Sequence, residues 1–355
     1  MTNVKHDADC DWASCVTPET LGYLWNQNGG GINLSILKSV MSFLPAFPSA
    51  PLPPPLPDIK TANEQIQISE NPESSKIKGV LEQCLRIVED YGSSNNRNWI
   101  LCDVNLHAKL QGNAPRCGLV ALSMAVEMAQ RLSKQTAQPS VGSPTLIPYN
   151  DFESEMMALL KLAKLKKFTS KGEMFSAKNL GVLAKEFYGL DVRITDCGLD
   201  DISGIFNHLS EGNPILVPYD ASANHAPCLE NGNKSHWAVL TGIFCTFEDN
   251  DFNWEHLQEK ATVTRLEVNG GKTSIFTLDN ATNKLPENCI PSTLYLLARQ
   301  PKSRHVGVWS WKELKESNAN LVEYCPNKES SKDFVLPEGG LREGLCKKIL
   351  YLKKK

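Results

Sequence analysis

Apolar positions fall at helical spacing in IKGVLEQCLRIVEDYG, where Val80, Leu81, Cys84, Leu85, Val88 and Tyr91 share a side and Gly92 supplies a stop. A second helix is predicted from Cys117. Its Leu119, Leu122, Val126 and Ala129 form one stripe, and Ala121, Ala125, Met128 and Leu132 form another. A helix apolar on nearly every side is buried on most sides. SEMMALLKLAKLKKF and SAKNLGVLAKEFYG predict two more helices. From Leu190 the pattern changes to short β-rich runs: LDVRIT, PILVPYD, SHWAVLTGIF, TVTRLEV, SIFTLDN and STLYLLARQ. LDDISGIFNHLSEG reads as a helix between the first two runs, and WSWKELKESNANL as a late helix. Helices first and strands later predict an α+β domain with a strongly curved or barrel-like sheet.

The first 75 residues break this pattern. PAFPSAPLPPPLP, from Pro45 to Pro57, places seven prolines in thirteen positions. Proline fixes φ and removes an amide donor, so the run predicts an exposed polyproline II segment within a disordered proline-rich region. It serves as a stiff spacer or as a ligand for an aromatic-lined groove. The expected division is therefore 1–75 as this region, 76–330 as the folded domain and 331–355 as a C-terminal extension.

Composition is that of a globular chain, with 41% hydrophobic and 22% charged residues in 355. A net charge of -3 gives no reason to expect nucleic acid or an anionic membrane as partner. No apolar run approaches the ~20 residues of a membrane helix. The start, MTNVKHDADCDWASC, holds no signal-peptide core, so a cytoplasmic chain is expected. Eleven irregularly spaced cysteines with no Cys-x-x-Cys predict free thiols and no structural zinc. His225 and Cys228 in HAPC have ligand-like spacing, but no second pair matches them, and no cofactor or metal is expected.

LQGNAPRCGLVALSMA places Cys117 at the junction of a polar loop and the buried helix. A helix start supplies partial positive charge and free amides, which favour a thiolate. Gly118 is read as removing bulk beside the sulfur so that a substrate backbone can approach. Gln111, six residues upstream, carries an amide able to donate to an oxyanion, together with the Cys117 amide. Taken alone, Cys117 reads as a structural cysteine. His236 changes that reading, because it opens the apolar run SHWAVLTGIF ~120 residues downstream and can act as base and acid toward a thiol. A third group should orient its ring, and Asp279, Asn280 and Gln300 are the candidates. His225 lies in a loop and is expected to line the cleft rather than act as the base.

The Gln-x5-Cys-Gly pattern with a downstream His-Trp strand resembles the papain-like cysteine peptidases, especially those that remove leaders from bacteriocin precursors. At finer grain, PRCGLVALSMA, NHAPCLENGNKSHWAVLTG and LYLLARQPKSRHVGVWSWKELKESNANL resemble the eukaryotic actin maturation protease family. The resemblance implies a papain-like α+β fold, with a helical half carrying the cysteine and a curved antiparallel sheet carrying the histidine. It implies a cysteine aminopeptidase that removes the acetylated Met or Cys from immature actin. Cys117 would be the nucleophile, His236 the base and Gln111 the oxyanion donor, with Gln300 favoured as orienter. Profilin would bind through the Pro51–Pro57 region. The competing expectations are a deubiquitinase-like isopeptidase and an inactive papain-like scaffold binding profilin. An exopeptidase needs one end of its cleft closed, and the segment 246–272, charged and containing glycine, is one candidate.

Overall fold

The computed structural model describes residues 72–91, 97–136, 151–248, 252, 254–258, 261–268, 271–278, 290–324 and 333–355. The proline run Pro45–Pro57 lies outside these residues.

The described chain is mixed α+β, built on a ten-stranded open sheet. Its elements are α1 (Pro72–Asp90), β1 (Arg97–Asp103), α2 (Cys117–Thr136), α3 (Phe152–Leu165), α4 (Ala177–Tyr188), β2 (Asp191–Thr195) and α5 (Ile202–Ser210). There follow β3 (Ile215–Ala221), β4 (Pro227–Cys228), β5 (Ser235–Thr246), α6 (Glu255–Gln258), β6 (Thr262–Val268) and β7 (Gly271–Leu278). The last are β8 (Thr293–Arg299), β9 (Gly307–Ser310), α7 (Trp311–Ala319), α8 (Gly340–Gly344) and β10 (Ile349–Lys353).

The main path runs β2-β10-β3-β5-β1-β7-β6, with β4 on β3 and the β8–β9 pair branching from β5. Pairing is antiparallel except between β1 and β7, which run parallel. The expected all-antiparallel sheet is corrected at that pair. Most of the domain separates β1 from β7, so no tight turn dictates their direction. The path has two ends, so the sheet is not a closed barrel. Residues 349–353, within the expected extension, form β10 in the interior of the sheet, between β2 and β3.

β5 organises the site. Its first half pairs with β3, its second half with β1, and β8 runs along its other edge. Trp237 and Val239 point to the face covered by α2, α3 and α4, while Ala238 and Leu240 point to the face covered by α5 and α7. Burial on both faces explains the unbroken apolar run. Gly242 sits where β1 crosses, and a Cβ there would lie 2.0 Å from the Cys102 carbonyl oxygen. In α2, every residue from Leu119 to Leu122 is fully buried, as its apolar stripes predict. α1 lays Val80, Cys84 and Val88 on a third cluster with Trp99, Phe244 and Leu297.

Candidate active site

The polar loop before α2 is held by its own side chains. Arg116 Nε donates to the Gln111 carbonyl at 3.1 Å, while its guanidinium grips Glu153 at 2.8 and 2.9 Å. The Gln111 amide donates to the Pro301 carbonyl at 2.9 Å, which ties the loop to the turn after β8. Gln111 is buried. Its Nε2 donates to the Ala114 carbonyl at 3.0 Å, and its Oε1 has no hydrogen-bond partner. One Nε2 hydrogen remains uncommitted.

Cys117 opens α2, and His236 is the second residue of β5, opposite Tyr219 on β3. Between them lies a cavity of about 720 Å³, which Gln111, Cys117, His225 and His236 all line. That volume suits a small ligand or a short peptide end. The four residues span Gln111 to His236 in the chain, and the cavity is where they meet.

The electrostatics differ from the simplest reading of a cysteine at a helix start. Burial pushes the Cys117 thiol up to about 11, against the opposing pull of the Trp237 amide, the Lys302 ammonium and the Gly118 and Cys117 amides. The helix end does favour thiolate, but desolvation outweighs it. Burial likewise pushes His236 down to about 3. Lys302 adds to that shift and Gln300 opposes it. Burial thus disfavours both the thiolate and the imidazolium.

Of the three orienter candidates, Gln300 stands at the His236 ring, where its side chain favours imidazolium. His236 Nε2 is buried without a partner, and Gln300 Oε1 accepts the Lys302 amide at 2.7 Å. Asp279 and Asn280 lie outside the described residues. His225 lines the cavity from a loop, in a left-handed conformation with φ 65°, and its carbonyl accepts from the Tyr219 hydroxyl at 3.0 Å. Among the described residues no group of three His, Cys, Asp or Glu could hold a metal.

One expectation is corrected. Gly118 does not open space for a substrate: a Cβ there would lie 2.7 Å from Met174 Cβ and 3.1 Å from the Trp237 ring. The missing side chain admits Met174 and Trp237, whose Nε1 donates to the Met174 carbonyl at 2.7 Å. No described residue of the segment 246–272 lines the cavity, whose lining includes Glu173, Met174, Phe175, Tyr324 and Phe334.

Two further carboxylates shape the site without any local sequence signal. Asp220, fully buried at the end of β3, accepts the amides of Glu230 at 3.0 Å, Gly232 at 2.7 Å and Lys234 at 3.1 Å. It thereby fixes the loop that delivers His236. Glu173 accepts the amides of Ser170, Lys171 and Val335. Burial would raise its carboxyl, but these amides outweigh it and hold it below the usual range.

The actin maturation protease-like C-terminal domain model matches residues 106–244, which include Gln111, Cys117 and His236. The chain is 31% identical to the cattle and human proteins named actin maturation protease, over 72% of this chain and 66% of each relative. It is 30% identical to the zebrafish protein of that name, over 78% of this chain and 82% of the relative. The chain thus spans about two thirds of the length of the mammalian relatives. No solved structure matches it. The chain belongs to the actin maturation protease family.

Proposed function

We propose that the chain is a cysteine aminopeptidase with a papain-like arrangement of helical half and sheet, acting in the cytoplasm on immature actin. It removes the acetylated Met or Cys from the actin N-terminus. The carrying observation is that Gln111, Cys117 and His236, set apart in sequence, line one cavity inside the region matched by the family model.

In this reading the Cys117 sulfur attacks the carbonyl carbon of the first residue while His236 takes the thiol proton. Burial disfavours separated charges on the two side chains, so proton transfer from Cys117 to His236 is coupled to attack. The oxyanion accepts hydrogen bonds from the uncommitted Gln111 Nε2 hydrogen and the Cys117 amide. Imidazolium then protonates the leaving amine, and a water that has lost its proton to His236 releases the acetylated residue. Gln300 steadies the ring. Profilin binding through Pro51–Pro57 would bring actin to the site by a second contact.

The test is hydrolysis of acetyl-Met actin peptides compared with ubiquitin conjugates. Cys117→Ala should abolish turnover without unfolding the chain, and His236→Ala should cost nearly as much. Gln111→Ala should lower kcat by about 10²–10³. Wild-type turnover in Cys117→Ala would remove the assignment. Cleavage of ubiquitin conjugates in place of actin peptides would favour the isopeptidase reading.

A further inference from the structure

Part of the cavity lining is apolar and adjoins the residue next to the thiol. Met174 packs against Gly118, the residue after Cys117. Phe175 follows it, with its ring centroid 5.2 Å from Tyr324 and 5.9 Å from Phe334. All four side chains, with Leu345, line the cavity. The polar groups of Gln111, His236 and Lys302 line the same cavity.

The segment carrying Phe334 is clamped to the turn before Met174. Glu173 Oε1 accepts the Val335 amide at 3.0 Å and the Ser170 amide at 2.7 Å, while Oε2 accepts the Lys171 amide at 2.7 Å. Lys171 Nζ lies 3.4 Å from Asp333 Oδ2 and 5.7 Å from the Phe334 ring centroid. Exposed ion pairs of this kind contribute little. The buried carboxylate, only 3% exposed, is the stronger tie.

We propose that this aromatic wall is the subsite for the side chain of the residue removed, and that Glu173 is the positioning residue that fixes its size. The inference rests on the peptidase reading above. A linear apolar side chain suits such a wall, and a sulfur near ring edges adds favourable contact.

The experiment uses the full chain and peptides that differ only in the first residue: acetyl-Met, acetyl-Cys, acetyl-Gly and acetyl-Glu. Wild-type kcat/KM should favour acetyl-Met over acetyl-Gly by about 10–200-fold, the range for side-chain fit in an apolar pocket. Phe334→Ala should lower that ratio about tenfold by slowing acetyl-Met, with acetyl-Gly changing little. Glu173→Gln loses part of its accepting capacity, and should lower the ratio mainly through KM; Glu173→Asp should restore part of it. If Phe334→Ala melts with the assay temperature, Phe334→Leu serves in its place, with a fall of about threefold. An unchanged ratio in folded Phe334 and Glu173 variants overturns the subsite. Absence of turnover on every peptide by the wild-type chain overturns the peptidase reading, and the subsite with it.

Discussion

Gly118→Ala separates two accounts of the residue beside the thiol. Helix propensity alone favours alanine over glycine by about 0.5–1 kcal/mol in a helix interior. The packing opposes it. The new Cβ would lie 2.7 Å from Met174 Cβ, 3.0 Å from its Cγ and 3.1 Å from the Trp237 ring. Met174 Cβ is not the free end of a flexible chain, so its backbone must retreat by about 0.7 Å to reach ordinary contact near 3.4 Å. Overpacking of this order costs about 1–3 kcal/mol. The retreat also strains the 2.7 Å bond from the buried Trp237 indole to the Met174 carbonyl, worth about 0.5–1.5 kcal/mol. The clash wins, and a net loss of about 1–3 kcal/mol is expected. The Trp237 amide favours the Cys117 thiolate and Trp237 follows His236 in β5, so the displacement reaches both side chains. Misplacement approaching 1 Å costs up to about 10² in rate, and a 10–100-fold loss of kcat/KM is expected. Urea unfolding and peptide kinetics measure both effects. A variant as stable as wild type with kcat/KM within twofold would refute the packing account. Unchanged stability with lost activity would instead restore the reading in which glycine leaves room for substrate.

Other perturbations test neighbouring parts of the site. Lys302→Ala removes a cation that disfavours imidazolium, so His236 should rise from about 3, moving the acidic limb of the kcat/KM profile to higher pH; the thiol, losing the same cation, should also rise. No movement of that limb would show that Lys302 does not act on the ring. Asp220→Ala leaves the amides of Glu230, Gly232 and Lys234 without their acceptor and should cost about 3 kcal/mol or more in denaturant unfolding, with activity falling alongside. A change below about 1 kcal/mol would mean that water replaces the carboxylate without loss. His208, pushed down to about 4 by burial, stays neutral in the folded chain while its unfolded counterpart protonates below 6.5. It therefore subtracts stability as pH falls from 6.5 toward 4, and none above 6.5. His208→Gln can still donate to the Pro214 and Leu352 carbonyls but cannot titrate, so its melting temperature should drop less between pH 7 and pH 5 than the wild type's. Equal drops would assign the acid sensitivity elsewhere.

The parts of the molecule legible in sequence are those whose pattern is set by their own burial. α2 is apolar all round because sheet and helices enclose it, and β5 is continuously apolar because both its faces are covered. Chemistry-bearing residues placed at the ends of such elements, Cys117 and His236, stand out against that background. β1 gave no such signal. RNWILCD is short, and its parallel partner β7 lies more than 160 residues away. β10 is a five-residue strand flanked by lysines, and its place between β2 and β3 depends on contacts from distant chain. The orienter shows the same limit more sharply. Gln300, Asn280 and Asp279 each follow a β-rich run, and local pattern gives no way to rank them by distance from His236. Gln300 reaches the ring because β8 runs antiparallel along β5, pairing Arg299 with Val239. Glu173 and Asp220 were invisible for a related reason. Their partners are backbone amides, which every residue but proline carries, so no spacing of side chains announces them. A thiol and an imidazole are conspicuous by identity, whereas the carboxylates that hold the cavity's walls become conspicuous only once the chain is folded around them.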